Sequence, residues 1–517
     1  MASIPTHPSG SPPRIAIIGG GISGLAAAHR LFELRPDAKV SLFEASSRLG
    51  GVLETVERQG FLIERSADNF LANPSAAVDL CRQLGMEGEL VPTDESRRRA
   101  FVVHGGRLLP VPEGFYLMSP RRLWPVLRSP LLSLCGKLRL LCEPFVRRGP
   151  ACSTVPVREP QSLNTPFDES VASFVRRRLG REVFERVVQP LVAGIYTADP
   201  EKLSMAATMP RFLEFERTHG SLLRATLSRG SASSPQTDTQ SSIFSNQTLD
   251  ANAADTATGA RYALFLAPAH GMQSLVTKLS DSLPREVVQL KASVTSISRR
   301  DERWELADNP KSEIRNPKSP FDAVIVAVPA HAAAELLMST NADLAAELGK
   351  IAFAGCVVVS FGFHRHQIRH TLDGFGFVVP KIERRRIIAA SFASLKFPGR
   401  APSEEVLIRV FLGGALQPEM LDASDADLIR IAQEGLTELV GIVGEPIISD
   451  IARWPRSMPQ YHVGHLARVA RIEELVASYP ALALAGNAYH GVGIPQCIAS
   501  GQAAAERVLA ALIERKK

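Results

Sequence analysis

Arg14-Ile15-Ala16-Ile17-Ile18 runs straight into Gly19-Gly20-Gly21-Ile22-Ser23-Gly24 and then Leu25-Ala26-Ala27-Ala28-His29-Arg30-Leu31. The first five residues are a short apolar run of the kind found in a buried parallel strand, and the last seven are strong helix formers. Between them Gly19, Gly21 and Gly24 fit the G-x-G-x-x-G spacing. The first glycine allows the tight turn, the second lets backbone approach a pyrophosphate, and the third lets helix and strand touch. The pyrophosphate would sit on the helix start, where backbone N–H groups have no internal partner and the dipole is positive.

Outward from this loop, Lys39-Val40-Ser41-Leu42-Phe43 reads as a second strand ending at Glu44, twenty residues past Gly24. A carboxylate there can accept both ribose hydroxyls of an adenosine and would repel a 2′-phosphate. The chain continues Ala45-Ser46-Ser47-Arg48-Leu49-Gly50-Gly51. A second glycine pair with Arg48 just before it suggests more phosphate-facing backbone, as in flavoproteins whose long cofactor crosses the domain. No second G-x-G-x-x-G is present to hold NADPH. Electrons reaching a flavin would then leave through oxygen or a quinone, which favours an oxidase over a reductase. At the other end, Leu482-Ala483-Leu484-Ala485-Gly486-Asn487 is again an apolar run stopping at glycine. It is followed by Gly491-Val492-Gly493-Ile494-Pro495-Gln496 and an Ala-rich helix from Cys497 to Ile513. The start of such a helix can stabilise negative charge on a reduced flavin. Both ends of the chain are therefore expected to meet on one cofactor.

With 517 residues the chain is too long for one core, so two or three domains are expected. Hydrophobic residues at 45% and charged residues at 22% exclude global disorder, a collagen and a disulfide scaffold. The net charge of +6 leans faintly toward acidic ligands or anionic membrane and gives no ground for nucleic acid. The six cysteines are scattered with no Cys-x-x-Cys pair, so each reads as a small buried hydrophobe in a reducing compartment. Residues 1–12 read as a disordered leader without signal-peptide character. Neither a Gly-x-Ser-x-Gly nor a His-Glu-x-x-His occurs, no metal is expected, and no general base stands out among twelve scattered histidines.

The motifs quoted, with Ile63-Glu64-Arg65-Ser66-Ala67-Asp68-Asn69-Phe70, Leu191-Val192-Ala193-Gly194-Ile195-Tyr196 and Met458-Pro459-Gln460-Tyr461 before Gly464-His465, resemble the oxygen-dependent porphyrinogen oxidases. That family comprises FAD enzymes acting on protoporphyrinogen IX or coproporphyrinogen III, within the wider amine-oxidase-like flavoproteins. The resemblance spans nearly the whole chain. It implies FAD contacts at residues 19–24, Glu44, Ala45, Val52, the Ser66, Ala67, Asp68 and Asn69 turn, Val294, Asn487 and Val492, Gly493 and Ile494. Gly20, Ile22, Ser23, Arg48, Gly51 and Gly486 belong to the same expected set. Where this chain has Ser66-Ala67 the family often has Gly-Pro. For the substrate the resemblance implies walls at Phe375, Val378 and Phe411, with Gly194 leaving room for the ring. Arg97, Arg98 and Arg99 are the candidates for carboxylate pairing, Arg99 foremost, because Ala100 stands where some members carry a propionate-binding Arg. The activity implied removes six electrons and six protons from a porphyrinogen in three flavin passes, with oxygen as acceptor. A flavin amine oxidase or a carotenoid-type desaturase of the same fold is the alternative, and a non-catalytic flavin binder a third reading.

The expected architecture is α/β (α+β): a Rossmann-like FAD-binding domain, discontinuous over 13–80, 262–330 and 450–517, with a mixed-sheet substrate domain over 81–110 and 331–449. The strand expected over Phe321 to Ala330 ends at the cofactor, and Leu290 to Val294 reads as strand-like, its backbone pairing with adenine by the resemblance. Residues 111–227 read mostly helical. Within them Arg121 to Leu134 and Lys137 to Arg148 mix bulky apolar groups with basic ones, which suits a membrane interface. Residues 228–261 are Ser/Thr/Asn-rich and read as a flexible insertion, and the repeated Asn-Pro-Lys-Ser at 309 and 316 as a loop extension. No run is long and apolar enough to span a bilayer. The expected setting is cytoplasmic with a peripheral membrane contact, and a homodimer is left open.

Overall fold

Ile15, Ala16 and Ile17 are wholly buried, as a strand covered on both faces requires, and they form the centre of a parallel sheet. The structure is a computed structural model that describes residues 11–120, 122–149, 168–228, 265–308 and 320–515. Residues 1–10 of the leader expected over 1–12, residues 229–261 of the insertion expected over 228–261 and the Asn-Pro-Lys-Ser repeat therefore lie outside the described residues. In chain order the elements used below are β1 (Arg14–Ile18), α1 (Ile22–Leu34), β2 (Lys39–Phe43), β3 (Phe101–His104), β4 (Arg107–Pro110), α2 (Leu134–Leu141) and α3 (Gln189–Tyr196). They continue with β5 (Val288–Gln289), β6 (Val294–Arg300), β7 (Ala323–Val326), β8 (Phe353–His364), β9 (Gly376–Val378), β10 (Ile387–Phe392) and β11 (Glu405–Gly413). The last are α4 (Asp425–Val440), β12 (Ile448–Pro459), β13 (Leu482–Leu484) and α5 (Ile494–Glu514).

The chain divides into two units. The first, Met1–Gly51, Val276–Lys350 and Ala470–Lys517, contains the all-parallel sheet β5-β2-β1-β7-β13. Two glycines make room here, one for the turn and one for the contact between the first and last helices. A Cβ on Gly501 of α5 would fall 2.0 Å from the Ser23 carbonyl oxygen of α1, and one on Gly24 would fall 1.9 Å from the Gly19 carbonyl oxygen. The third motif glycine thus clears the turn itself, and Gly501 clears the helix pair.

The second unit, Val52–Leu275 and Ile351–Val469, contains the mixed sheet β12-β8-β11-β10-β9-β3-β4, antiparallel except where β9 meets β3. Strand alternation sends Val357, Val359, Phe361, Val410 and Phe377 into a core with Leu428, Ile431 and Leu436 of α4. Their neighbours Val358, Phe411, Ala389 and Val378 form a cross-strand row of the other parity.

The division differs from the expected one. Residues 52–80 stay with the second unit because Phe61 and Ile63 bury against Ala393, Leu407 and Ile448. Residues 450–469 stay there because β12 is a strand of the mixed sheet, and residues 331–350 remain with the first unit. Leu290 to Ser293 is a turn, not a strand: Lys291 adopts φ 53, so pairing starts only at Val294. The strand expected over 321–330 is confined to β7, and α5 opens at Ile494, ahead of Cys497. Cys135 and Cys142 are exposed, against the expectation, because they lie on the outer side of α2 and at its end. The described residues of segment 111–227 are mainly helical, and Pro190 lies in the first turn of α3, directly after a π-helical turn at Phe184–Val188.

Candidate functional site

In the first unit the glycine turn is built by backbone. Gly19 N–H donates to the Phe43 carbonyl at 2.8 Å, and Gly50 N–H donates to the Gly20 carbonyl at 2.9 Å, joining the two glycine-rich stretches. Glu44 lies where the strand reading placed it. Its carboxylate accepts from Gly20 N–H at 2.7 Å and Ser46 N–H at 2.8 Å. Each oxygen keeps further lone-pair capacity, which a ribose hydroxyl can use. Ala45 follows in the same loop, and Ala292 N–H returns to the Glu44 carbonyl at 2.9 Å, carrying the chain toward Val294.

The helix starts test whether a dinucleotide fits. Gly21 caps α1 and Gly493 caps α5; neither gives a side-chain cap bond, and neither helix has an acid in its first turn. No atom lies within 4 Å of where a Gly21 Cβ would stand. Two positive helix ends with open, acid-free N–H groups are what anionic groups of a dinucleotide need. Arg48 behaves differently from the phosphate-facing expectation: its guanidinium donates to the Gly51 carbonyl at 2.5 Å and the Leu49 carbonyl at 3.2 Å, so it braces the turn. Gly486, with φ 132, donates to Ser500 Oγ at 3.1 Å, which ties Asn487 and the Val492 to Ile494 stretch to α5. His490 pairs with Glu473 at 2.6 Å as an ordinary surface contact.

In the second unit the Ser66 to Asn69 turn rests on buried charge. Asp68 accepts from Lys396 Nζ at 3.2 Å, from Asn69, and pairs with Arg409 at 3.3 Å; Arg409 also donates to the Ser66 carbonyl. Burial pushes Asp68 up, but Lys396 and Arg409 outweigh it and hold the carboxyl at about 2. Burial pulls the Lys396 ammonium below its usual value, with Asp68 only partly restoring it. Neither cation stands out in sequence. The alternation of Leu407, Arg409 and Phe411 against Ile408, Val410 and Leu412 was the available signal, since it puts Arg409 on the parity of Phe411.

The substrate-wall residues fall in the same unit. Phe411 pairs across to Ala389, which pairs to Val378. Gly194 of α3 lies over this row, because an added Cβ would stand 3.2 Å from Val378 Cγ1. Phe375, buried, donates its N–H to the Arg99 carbonyl at 2.8 Å. The three arginines singled out earlier are each answered by an acid: Arg97 by Asp94 at 3.5 Å, Arg98 by Glu95 at 2.8 Å and Arg99 by Asp373 at 3.3 Å. His465 is buried and stacked on Tyr461 at 3.9 Å, a packing role. Among the described residues no cluster of metal-ligating side chains occurs, and no helix is long and apolar enough to cross a membrane.

Comparison with known proteins is consistent with these features. Residues 22–509 match the family of flavin containing amine oxidoreductases. The chain is 32% identical over 501 residues to a coproporphyrinogen III oxidase of Bacillus subtilis (strain 168), covering 96% of this chain and 97% of that one. It is 28% identical to protoporphyrinogen oxidase 2, chloroplastic/mitochondrial, of Arabidopsis thaliana, over 96% of this chain and 94% of the other. A solved structure from Exiguobacterium sp. 255-15, assigned as a protoporphyrinogen oxidase, superposes with a TM-score of 0.78 at 28% identity, covering 98% of this chain and 99% of that one.

Proposed function

Because this chain belongs to the flavin containing amine oxidoreductases, on the branch it shares with porphyrinogen oxidases, we propose that it is an FAD-dependent oxidase converting a porphyrinogen to the porphyrin in heme biosynthesis, with oxygen as acceptor. The observation that carries this reading is the full-length kinship at 32% identity to a coproporphyrinogen III oxidase. The uncapped, acid-free starts of α1 and α5 fit the cofactor it requires. FAD, when bound, supplies the two-electron acceptor and hands the electrons on to oxygen.

The chain's own part is to hold and orient. In the first unit residues 19–24, Glu44, Ala45, Gly51, Val294, Gly486, Asn487 and 492–494 are the proposed FAD contacts, with Arg48 bracing the turn beside them. In the second, Val52 and Ser66 to Asn69 are. The row of Val378, Ala389 and Phe411 offers a flat apolar wall, and Gly194 keeps α3 from filling the space over Val378. Arg99 stays the sequence-based choice for a carboxylate, although Asp373 competes for it. Anaerobic mixing of the yellow protein with coproporphyrinogen III and with protoporphyrinogen IX tests the reading. Flavin bleaching with a rise of porphyrin fluorescence is expected, and bleaching by an amine alone would establish an amine oxidase instead.

We place the protein in the cytoplasm, touching an anionic membrane surface. Leu134, Leu138, Leu141 and Phe145 recur at helical spacing and are 78%, 63%, 38% and 82% exposed, with Trp124 at 62% nearby in sequence. Arg122, Arg128, Lys137 and Arg147 flank them, which suits acidic headgroups. The stripe is held rigidly: buried Glu143 accepts from Arg178, from Ser221 and from Leu222 N–H at 2.9 Å. Co-sedimentation with phosphatidylglycerol vesicles, lost in Leu138→Glu/Phe145→Glu, is the expected result. A homodimer on the same stripe would instead give doubled mass by light scattering and no vesicle binding.

A further inference from the structure

We propose that the loop Pro380 to Arg386, and within it Lys381 and Arg384, supplies the cations that receive the substrate's carboxylates; this rests on the porphyrinogen reading. The loop carries four basic residues against one acid, Lys381, Arg384, Arg385 and Arg386 against Glu383, a surplus of three. Two of its charges are already answered. Glu383 accepts from Gly105 N–H at 2.8 Å and Gly106 N–H at 3.3 Å, in the turn between β3 and β4, and Arg385 pairs with Glu438 of α4. Arg386 rests on Met420 Sδ at 3.9 Å. Among the described residues Lys381 and Arg384 have no acid partner, unlike Arg97, Arg98 and Arg99.

Their place in the fold gives the surplus a use. The loop begins two residues after Val378, where the apolar row of Val378, Ala389 and Phe411 ends on β9. It is tied to the helix over that row, because Lys381 N–H donates to Oε1 of buried Gln189 at 2.8 Å, and Gln189 opens the helix that carries Gly194. A macrocycle lying on the row would thus have its charged arms at a fixed, exposed, basic turn. Arg384 adopts φ 53 and ψ 34, a left-handed conformation that glycine or asparagine takes more easily. Arg384 is exposed, and a substrate carboxylate would give its guanidinium the bidentate partner that no acid among the described residues supplies.

The test titrates coproporphyrin III, with four carboxylates, and protoporphyrin IX, with two, into FAD-loaded protein by fluorescence, at low and high salt. Lys381→Met with Arg384→Gly is expected to weaken coproporphyrin III binding about tenfold, to weaken protoporphyrin IX less, and to flatten the salt dependence. Arg384→Gly alone should keep or raise the Tm, since it relieves the left-handed backbone, which separates lost recognition from lost folding. Arg386→Met is the control and should bind as wild type does. Unchanged affinity in the double variant, or an equal loss in Arg386→Met, overturns the assignment. If wild type itself is bleached by neither porphyrinogen, the functional reading fails, an outcome distinct from failure of the loop.

Discussion

Gly24 and Asp68 show at the residue scale how local necessity and distant partners divide the labour. A side chain at Gly24 would meet the Gly19 carbonyl at 1.9 Å, closer than any van der Waals contact allows. Gly24→Ala is therefore expected to cost about 1–3 kcal/mol by overpacking and to yield protein with little bound flavin; denaturant melts and the 450 nm absorbance per chain check both. Asp68 is a matter of charge. Its ordinary value is 3.8 and its folded value about 2, so the fold favours the carboxylate. That contribution, of the order of 2 kcal/mol, is complete above about pH 4 and is lost as pH falls through 2. Asp68→Asn should remove this slope from stability measured between pH 5 and pH 2. Lys396→Met, which leaves Asp68 with Arg409 alone, should cost about 3 kcal/mol.

At the scale of elements, α3 and β9 define the open space over the apolar row. Gly194 is an exposed helix residue whose neighbour is a single methyl of Val378. Gly194→Leu should fold, since a helix prefers leucine to glycine by nearly 1 kcal/mol, yet occupy the space a macrocycle needs. Coproporphyrin III affinity is expected to fall at least tenfold with Tm unchanged or raised, and retained affinity would remove Gly194 from the wall. The strands were readable element by element: the runs Arg14 to Ile18 and Lys39 to Phe43 are β1 and β2. Leu290 to Val294 misled because its apolar and β-branched ends conceal a left-handed Lys291, a conformation that composition does not announce.

At the scale of the molecule, each unit is assembled from separated stretches of chain, the first from three and the second from two. FAD bound to the folded protein and not to the unfolded chain must raise stability by mass action. At a concentration about a hundredfold above its Kd the gain is about 2.7 kcal/mol. Thermal melting of flavin-free protein with added FAD should show a concentration-dependent Tm, and Gly24→Ala should not respond.

The glycine-rich turn, its strand and helix, the carboxylate at Glu44 and the helix at the chain's end were determined by the sequence alone. Each is set by residues a few positions apart, through backbone freedom and strand or helix periodicity, and those forces act locally. Which charges meet was decided only by the tertiary structure. Asp68 and Lys396 are 328 positions apart, and Arg99 meets Asp373 across 274. Ion pairing in a folded chain follows proximity in space, and the order of residues does not encode which distant segments will become neighbours.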